Sequence, residues 1–145
     1  PPRQLAKQVR LIVGLTARDA LAVQRMRAEL EASGLAADAV ARRVEFEAAK
    51  KLRYRSLNIA RSETMMASNG GQLEAWRQGR GAGLIDEELV KEWIVTDDTR
   101  ICEVCLPLGG EQAPVDREFS WGGMNPPRHP SCRCAVGLAP PRSQA

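Results

Sequence analysis

The chain has 145 residues, 43% of them hydrophobic, 4% aromatic and 27% charged, and 21 Lys and Arg against 18 Asp and Glu leave a formal net charge of +3. That length suits one domain, or a helical region with a small module attached; the shortage of aromatics argues against a large sheet-based core, and the weak positive charge falls short of a dedicated DNA-coating protein. The longest apolar run, LIVGL at 11–15, is too short to span a bilayer, no signal-peptide pattern is visible, and with Pro1 in place of an initiator methionine the expectation is a processed or truncated piece of something longer.

Alanine, leucine and arginine dominate the first two thirds, a composition that favours helix. A first helix is expected over 16–30. Thr16 and Asp19 stand at capping-box spacing, Val23, Met26 and Leu30 share one face, and Ser33-Gly34 supplies the stop. A longer helix is expected over 36–67. Val40, Val44, Ala48 and Leu52 form an i, i+4 ladder that Ile59 and Met66 continue at seven-residue intervals. Arg42, Arg43, Glu45, Glu47, Lys50, Lys51, Arg53 and Arg55 cover the other faces and read as a solvated surface laced with opposite charges.

Asn69-Gly70-Gly71 is a turn signal, a short helix through Trp76 follows, and the glycine-rich QGRGAG at 78–83 reads as a flexible connection. That stretch lacks the GK[ST] ending and the preceding strand of a phosphate loop. From Leu89 the composition shifts. KEWIV at 91–95 reads as a strand with Trp93 as its core anchor, 115–119 as a second strand and AVGL at 135–138 as a last short one. The expected organisation is a helical region at 1–78, a connection at 79–88, a β module at 89–138 and a flexible tail at 139–145. The fold class is α+β: long N-terminal helices, as a bundle or an extended arm, with a small C-terminal β module stapled by zinc.

The zinc rests on a cluster. All four cysteines and the single histidine fall between residues 102 and 134. Cys102 and Cys105 make a C-x2-C pair; after 23 intervening residues come His129, Cys132 and Cys134. Two short-spaced pairs separated by such a loop are what a four-ligand zinc site needs, because each pair converges on a tight turn and the loop brings the turns together. Cys102, Cys105 and Cys132 are the firmest ligands, and the fourth is either His129 or Cys134, with His129 slightly favoured. With four protein donors no position stays open for water or substrate, so the role is structural. Disulfides within C-x2-C or C-x-C would be strained and lack a secretory context, and a redox C-x2-C would want a strand-to-helix setting that LPLGG does not offer. A module of short strands with few aromatics buries too little to hold itself together, and metal-binding free energy would make up the deficit.

The segment WIVTDDTRICEVCLPLGG, then Phe119, then PPRHPSCRC at 126–134 resembles the phage head morphogenesis domain of the Mu F-like minor head proteins. The resemblance falls on Trp93; on Asp98, Arg100, Cys102 and Cys105; on Leu108 and Gly110; and on the closing run from Pro126 to Cys134. An upstream A-R-T-E element of that family is matched by Ala60, Arg61, Ser62 and Glu63, with serine where threonine is usual. The likeness implies a minor head protein of a tailed phage or prophage, located in the virion and, during assembly, in the host cytoplasm. It would help assemble or stabilise the head and contact the portal protein, the major capsid protein, packaged DNA or further copies of itself. The resemblance also prompts a physical role for the signature's polar residues: Arg61 and Glu63 are expected to pair with each other or with Asp98 and Arg100, and Arg100 and Arg133 to offset thiolate charge.

Two other function classes compete. A cellular zinc-ribbon nucleic-acid module is opposed by the modest charge and the lack of aromatics for base stacking. An enzyme, as in the ADP-ribosyltransferases to which similar head domains are sometimes joined, lacks its active-site triplets, a base outside the metal cluster and a nucleophile elbow. The expectation is a protein without catalytic residues.

Overall fold

The computed structural model describes residues 2–96, 98 and 102–142. The chain divides into two compact units, Pro1–Ala60 and Arg61–Ala145. Three helices, α1 (Pro2–Ile12), α2 (Ala17–Ala32) and α3 (Ala37–Gly81), precede three strands, β1 (Val90–Ile94), β2 (Gln112–Ala113) and β3 (Ala135–Ala139). Long N-terminal helices, a small antiparallel sheet and a Cys/His cluster agree with the α+β expectation.

In the first unit, Thr16 caps α2: its Oγ1 accepts the Asp19 N–H at 3.0 Å, and its hydroxyl donates to the Asp19 carboxylate at 2.8 Å. That hydroxyl, helped by Lys51, holds the Asp19 carboxyl below its usual range against the opposing effect of burial. The helix ends where Ser33 N–H reaches Glu29 O and Gly34 takes a φ of 76°, as the Ser-Gly stop demands. Val23 of α2 packs with Val40 and Val44 of α3 over Leu15, Leu30, Leu35 and Ala48. Burying such a side chain stabilises by about 1.5–3 kcal/mol each. The sequence reading did not anticipate α1.

The turn expected at Asn69-Gly70-Gly71 does not form, and α3 runs through it. Asn69 is buried, and its carboxamide takes both a donor and an acceptor role against β3, accepting Val136 N–H at 3.2 Å and donating to Cys134 O at 3.4 Å. Tertiary bonding therefore outweighs the local cost of glycine in a helix, about 1 kcal/mol per residue. The connection expected at 78–83 is also largely helix. Leu84 N–H bonds Gly79 O, Gly83 N–H bonds Arg80 O and Gly83 takes a φ of 69°, which is the six-to-one and five-to-two pattern of a Schellman stop. Gly79 is small for another reason, since a Cβ there would stand 2.7 Å from Ile85 Cδ1.

The sheet order is β2-β1-β3, antiparallel throughout, with Trp93 opposite Val136 and Lys91 opposite Ala113. Trp93 is fully buried and meets Phe119 and Trp121 edge-to-face at 5.3 and 6.0 Å. Residues 115–119 are not a strand. Val115 and Phe119 are buried as core anchors, but the chain between them turns, with Arg117 N–H bonded to Pro114 O, and pairing falls earlier at Gln112–Ala113. Residues 140–142, whose composition reads as flexible, are bonded to the sheet: Gln112 exchanges hydrogen bonds with Pro140 O and Arg142 N–H, and Arg142 pairs with Glu92 at 3.0 Å.

Candidate metal centre

The two cysteine-bearing turns are built differently. The first closes when Cys105 and Leu106 N–H both bond Cys102 O at 3.0 Å, and the chain continues into a short 3-10 helix, Leu106–Leu108. That helix ends on Gly109-Gly110, where Gly110 takes a φ of 77° and bonds Trp93 O. The second is His129-Pro130-Ser131-Cys132, closed by Cys132 N–H to His129 O at 3.1 Å. Proline at its second position and a φ of 57° at Ser131 make it a type II turn, which sets His129 and Cys132 on adjacent corners. Ser62 of α3 accepts the Ser131 N–H at 2.9 Å and anchors the turn.

The five expected donors converge. His129 Nε2 lies 3.0 Å from Cys102 Sγ and 3.1 Å from Cys105 Sγ, and Cys105 Sγ lies 3.8 Å from Cys132 Sγ. Cys102, Cys105 and His129 form one group of mutually close donors, and Cys105, Cys132 and Cys134 form another, so Cys105 belongs to both. Two thiolates on one tetrahedral zinc, with bonds of about 2.3 Å, stand about 3.8 Å apart, and the Cys105–Cys132 spacing equals that edge. His129 Nδ1 contacts Pro130 O at 2.9 Å. A carbonyl only accepts, so Nδ1 carries the proton and Nε2 turns a lone pair toward the sulfurs, the outer-shell arrangement of a metal-binding imidazole.

The electrostatics favour a cation. Burial pushes the Cys105 and Cys134 thiols up, and Cys132 pushes both further. Burial also acts to raise Cys102, but hydrogen bonds from the Cys105 side chain and backbone, together with the nearness of His129, leave that thiol below its usual value. The buried Trp93 indole N–H lies close enough to Cys134 to favour its thiolate form. A divalent ion among these sulfurs would deprotonate them and relieve the repulsion. All four cysteines are free thiols.

Two arginines link the turns independently of sulfur. Arg128 donates to Val104 O at 2.8 Å, inside the C-x2-C turn, and lies over Trp121. Arg133 holds Asp98 at 2.6 and 2.7 Å. Arg61 and Glu63 are both exposed and make no ion pair among the described residues, and the pairing expected with Arg100 lies outside those residues. Arg133 takes the Asp98 carboxylate instead. Arg100 lies outside the described residues. In the A-R-S-E element the working atom is the Ser62 hydroxyl, which threonine would also supply.

The chain matches the family model for Phage Mu protein F like protein over residues 3–137. It belongs to the Phage Mu protein F like family. That family points to phage head morphogenesis and to interaction with other head components; it is a structural family, not a known enzyme family. No curated protein and no solved structure matches the chain. Among the described residues no helix is long and apolar enough to cross a membrane.

The sequence missed Lys91. It sits fully buried on the Trp93 face of β1, donates to Met124 O at 2.6 Å and lies 4.7 Å from the centre of the Phe119 ring. A charged residue between apolar strand positions reads as solvent-facing, and only the alternation with Trp93 hinted otherwise.

Proposed function

We propose that this member of the Phage Mu protein F like family is a minor head protein of a tailed phage or prophage. It acts close to the portal as a structural and interaction part, in contact with the portal protein, the major capsid protein or both. The single observation behind this reading is the family match over residues 3–137. It works in the assembling head, in the host cytoplasm, and stays in the virion.

Zinc holds its C-terminal module together through Cys102, Cys105, His129 and Cys132. Soft thiolates with one imidazole suit that ion, and the imidazole tautomer fixed by Pro130 supports the choice of His129. Cys134 is the neighbouring thiol, served by the Trp93 N–H. When bound, the ion supplies folding free energy and no Lewis-acid step, because protein donors fill its coordination sphere.

The test is to assemble heads with the gene deleted and with it restored. Quantitative mass spectrometry of purified heads should find the protein at a few copies each, cross-linked to portal or capsid chains. Heads that contain none of it when it is expressed would sink the reading.

A further inference from the structure

Charge divides unevenly along the chain. Residues 1–60 carry 12 Lys and Arg against 6 Asp and Glu, whereas residues 61–145 carry 9 against 12, so the first unit is +6 and the second −3. Pairing within the first unit leaves most of the excess unneutralised. Arg27, Arg42, Lys50 and Lys51 are ion-paired to Glu31, Asp38, Glu47 and Asp19, and Arg55 donates to Gly14 O. Arg3, Lys7 and Arg10 on α1, with Arg18 and Arg25 on α2, are exposed and make no ion pair among the described residues.

These cations are arranged, not scattered. α1 holds no acidic residue. Arg3, Lys7 and Arg10 follow one another at four- and three-residue steps, which on a helix places them within an arc of about 60° and about 4.5–6 Å apart along the axis. Arg18 and Arg25, seven apart, likewise share one face of α2. The other side of α1 is committed to the unit over most of its length, with Ala6 buried and Leu5 and Val9 half-buried, while Leu11 and Ile12 at its end are exposed. A helix lying on a lipid surface would need that apolar side free.

We propose that the basic face of α1, together with Arg18 and Arg25, binds the phosphate backbone of duplex DNA without reading its sequence. Regularly spaced, unneutralised cations match a polymer that carries one negative charge per about 1.7 Å of its axis. The −3 charge of the second unit makes the metal module itself a poor match for a polyanion, so the contact is assigned to the first unit. The choice of duplex DNA among polyanions rests on the head reading above; the basic face itself does not.

The experiment measures binding of the full-length, metal-loaded protein to fluorescent mixed-sequence duplex DNA between 50 and 200 mM salt. Affinity is expected to fall steeply with salt. Replacing Arg3, Lys7 and Arg10 together by Gln should make the log–log salt slope shallower by about 2.7, and Arg18→Gln with Arg25→Gln by about 1.8, at about 0.9 per lost phosphate contact. Circular dichroism must show both variants as helical as the parent. The proposal fails if the parent does not bind DNA at 50 mM salt, or if both variants keep its slope. It fails equally if vesicles of phosphatidylserine and phosphatidylcholine capture the protein while DNA does not. Incorporation into heads is scored separately, so losing this contact leaves the head reading standing.

Discussion

Arg133 grips Asp98 with both arms of its guanidinium, Nη1 at 2.6 Å and Nη2 at 2.7 Å, across 35 positions of sequence. Arg133 stands between Cys132 and Cys134, so the pair ties the second cysteine turn to the segment that leads into the first. Asp98 raises the Arg133 pKa in turn, although the pair is partly exposed and water weakens it. Asp98→Asn and Arg133→Lys should each cost about 0.5–1 kcal/mol. Thermal melts of the metal-loaded protein check this, and the loss should shrink in 1 M salt. Equal loss at all salt concentrations would count against an electrostatic tie.

Removing the metal should cost far more. A chelator is expected to abolish the cooperative unfolding of residues 89–139 while leaving most of the helical circular dichroism. Structural zinc supplies about 10 kcal/mol in small modules. Cys105→Ser should behave like chelation, because Cys105 is the sulfur common to both donor groups. Cys134→Ser should keep one equivalent of zinc. Cobalt substitution reads the donor set directly: a three-sulfur, one-nitrogen spectrum that survives Cys134→Ser and is lost in His129→Ala is the expected result.

Asn69 offers a test without charge or metal. Its carboxamide satisfies a buried N–H at Val136 and a carbonyl at Cys134. Asn69→Leu would keep the volume and leave both groups unpaired, at a cost of about 2–4 kcal/mol in denaturant unfolding. Gly70→Ala should be mild, since an added Cβ would meet only Asn125 Nδ2, at 3.7 Å.

Lys91 predicts a pH dependence. Burial pulls its pKa from 10.5 down to about 8, with Arg77 adding to the effect and Asp116 and Glu118 opposing it. Between those two values the unfolded chain holds a proton that the folded chain has released, so stability contributed by this residue rises with pH across that window. Below about pH 8 the full cost of burying the cation is present. Relative to Lys91→Met, the parent should gain about 1–3 kcal/mol on going from pH 8 to 10.5. A difference that stays flat across that range would show that the amine is not held deprotonated by its surroundings.

What the sequence made legible depended on whether the signal was local. The α2 cap at Thr16, its Ser-Gly stop and the convergence of five metal donors each rest on spacing over a few residues, and each appears in the structure. Signals that needed a distant partner were misread. Asn69-Gly70-Gly71 looks like a turn until Val136 and Cys134 arrive to bond the carboxamide. Residues 115–119 read as a strand, but Val115 and Phe119 are core residues on either side of a turn, which the local apolar pattern does not reveal. Arg61 and Glu63 drew attention as charges, while the contact is made by the hydroxyl between them, whose partner is 69 residues away.

Ser62 and Asn69, seven residues apart on α3, both reach the final cysteine segment, one through Ser131 N–H and the other through Cys134 O and Val136 N–H. The helix thereby serves as a splint along the second turn. In a genetic screen for defective particles, lesions at these two helical positions should fall into the same phenotypic class as lesions in the cysteines, despite lying on a different element and binding no ion.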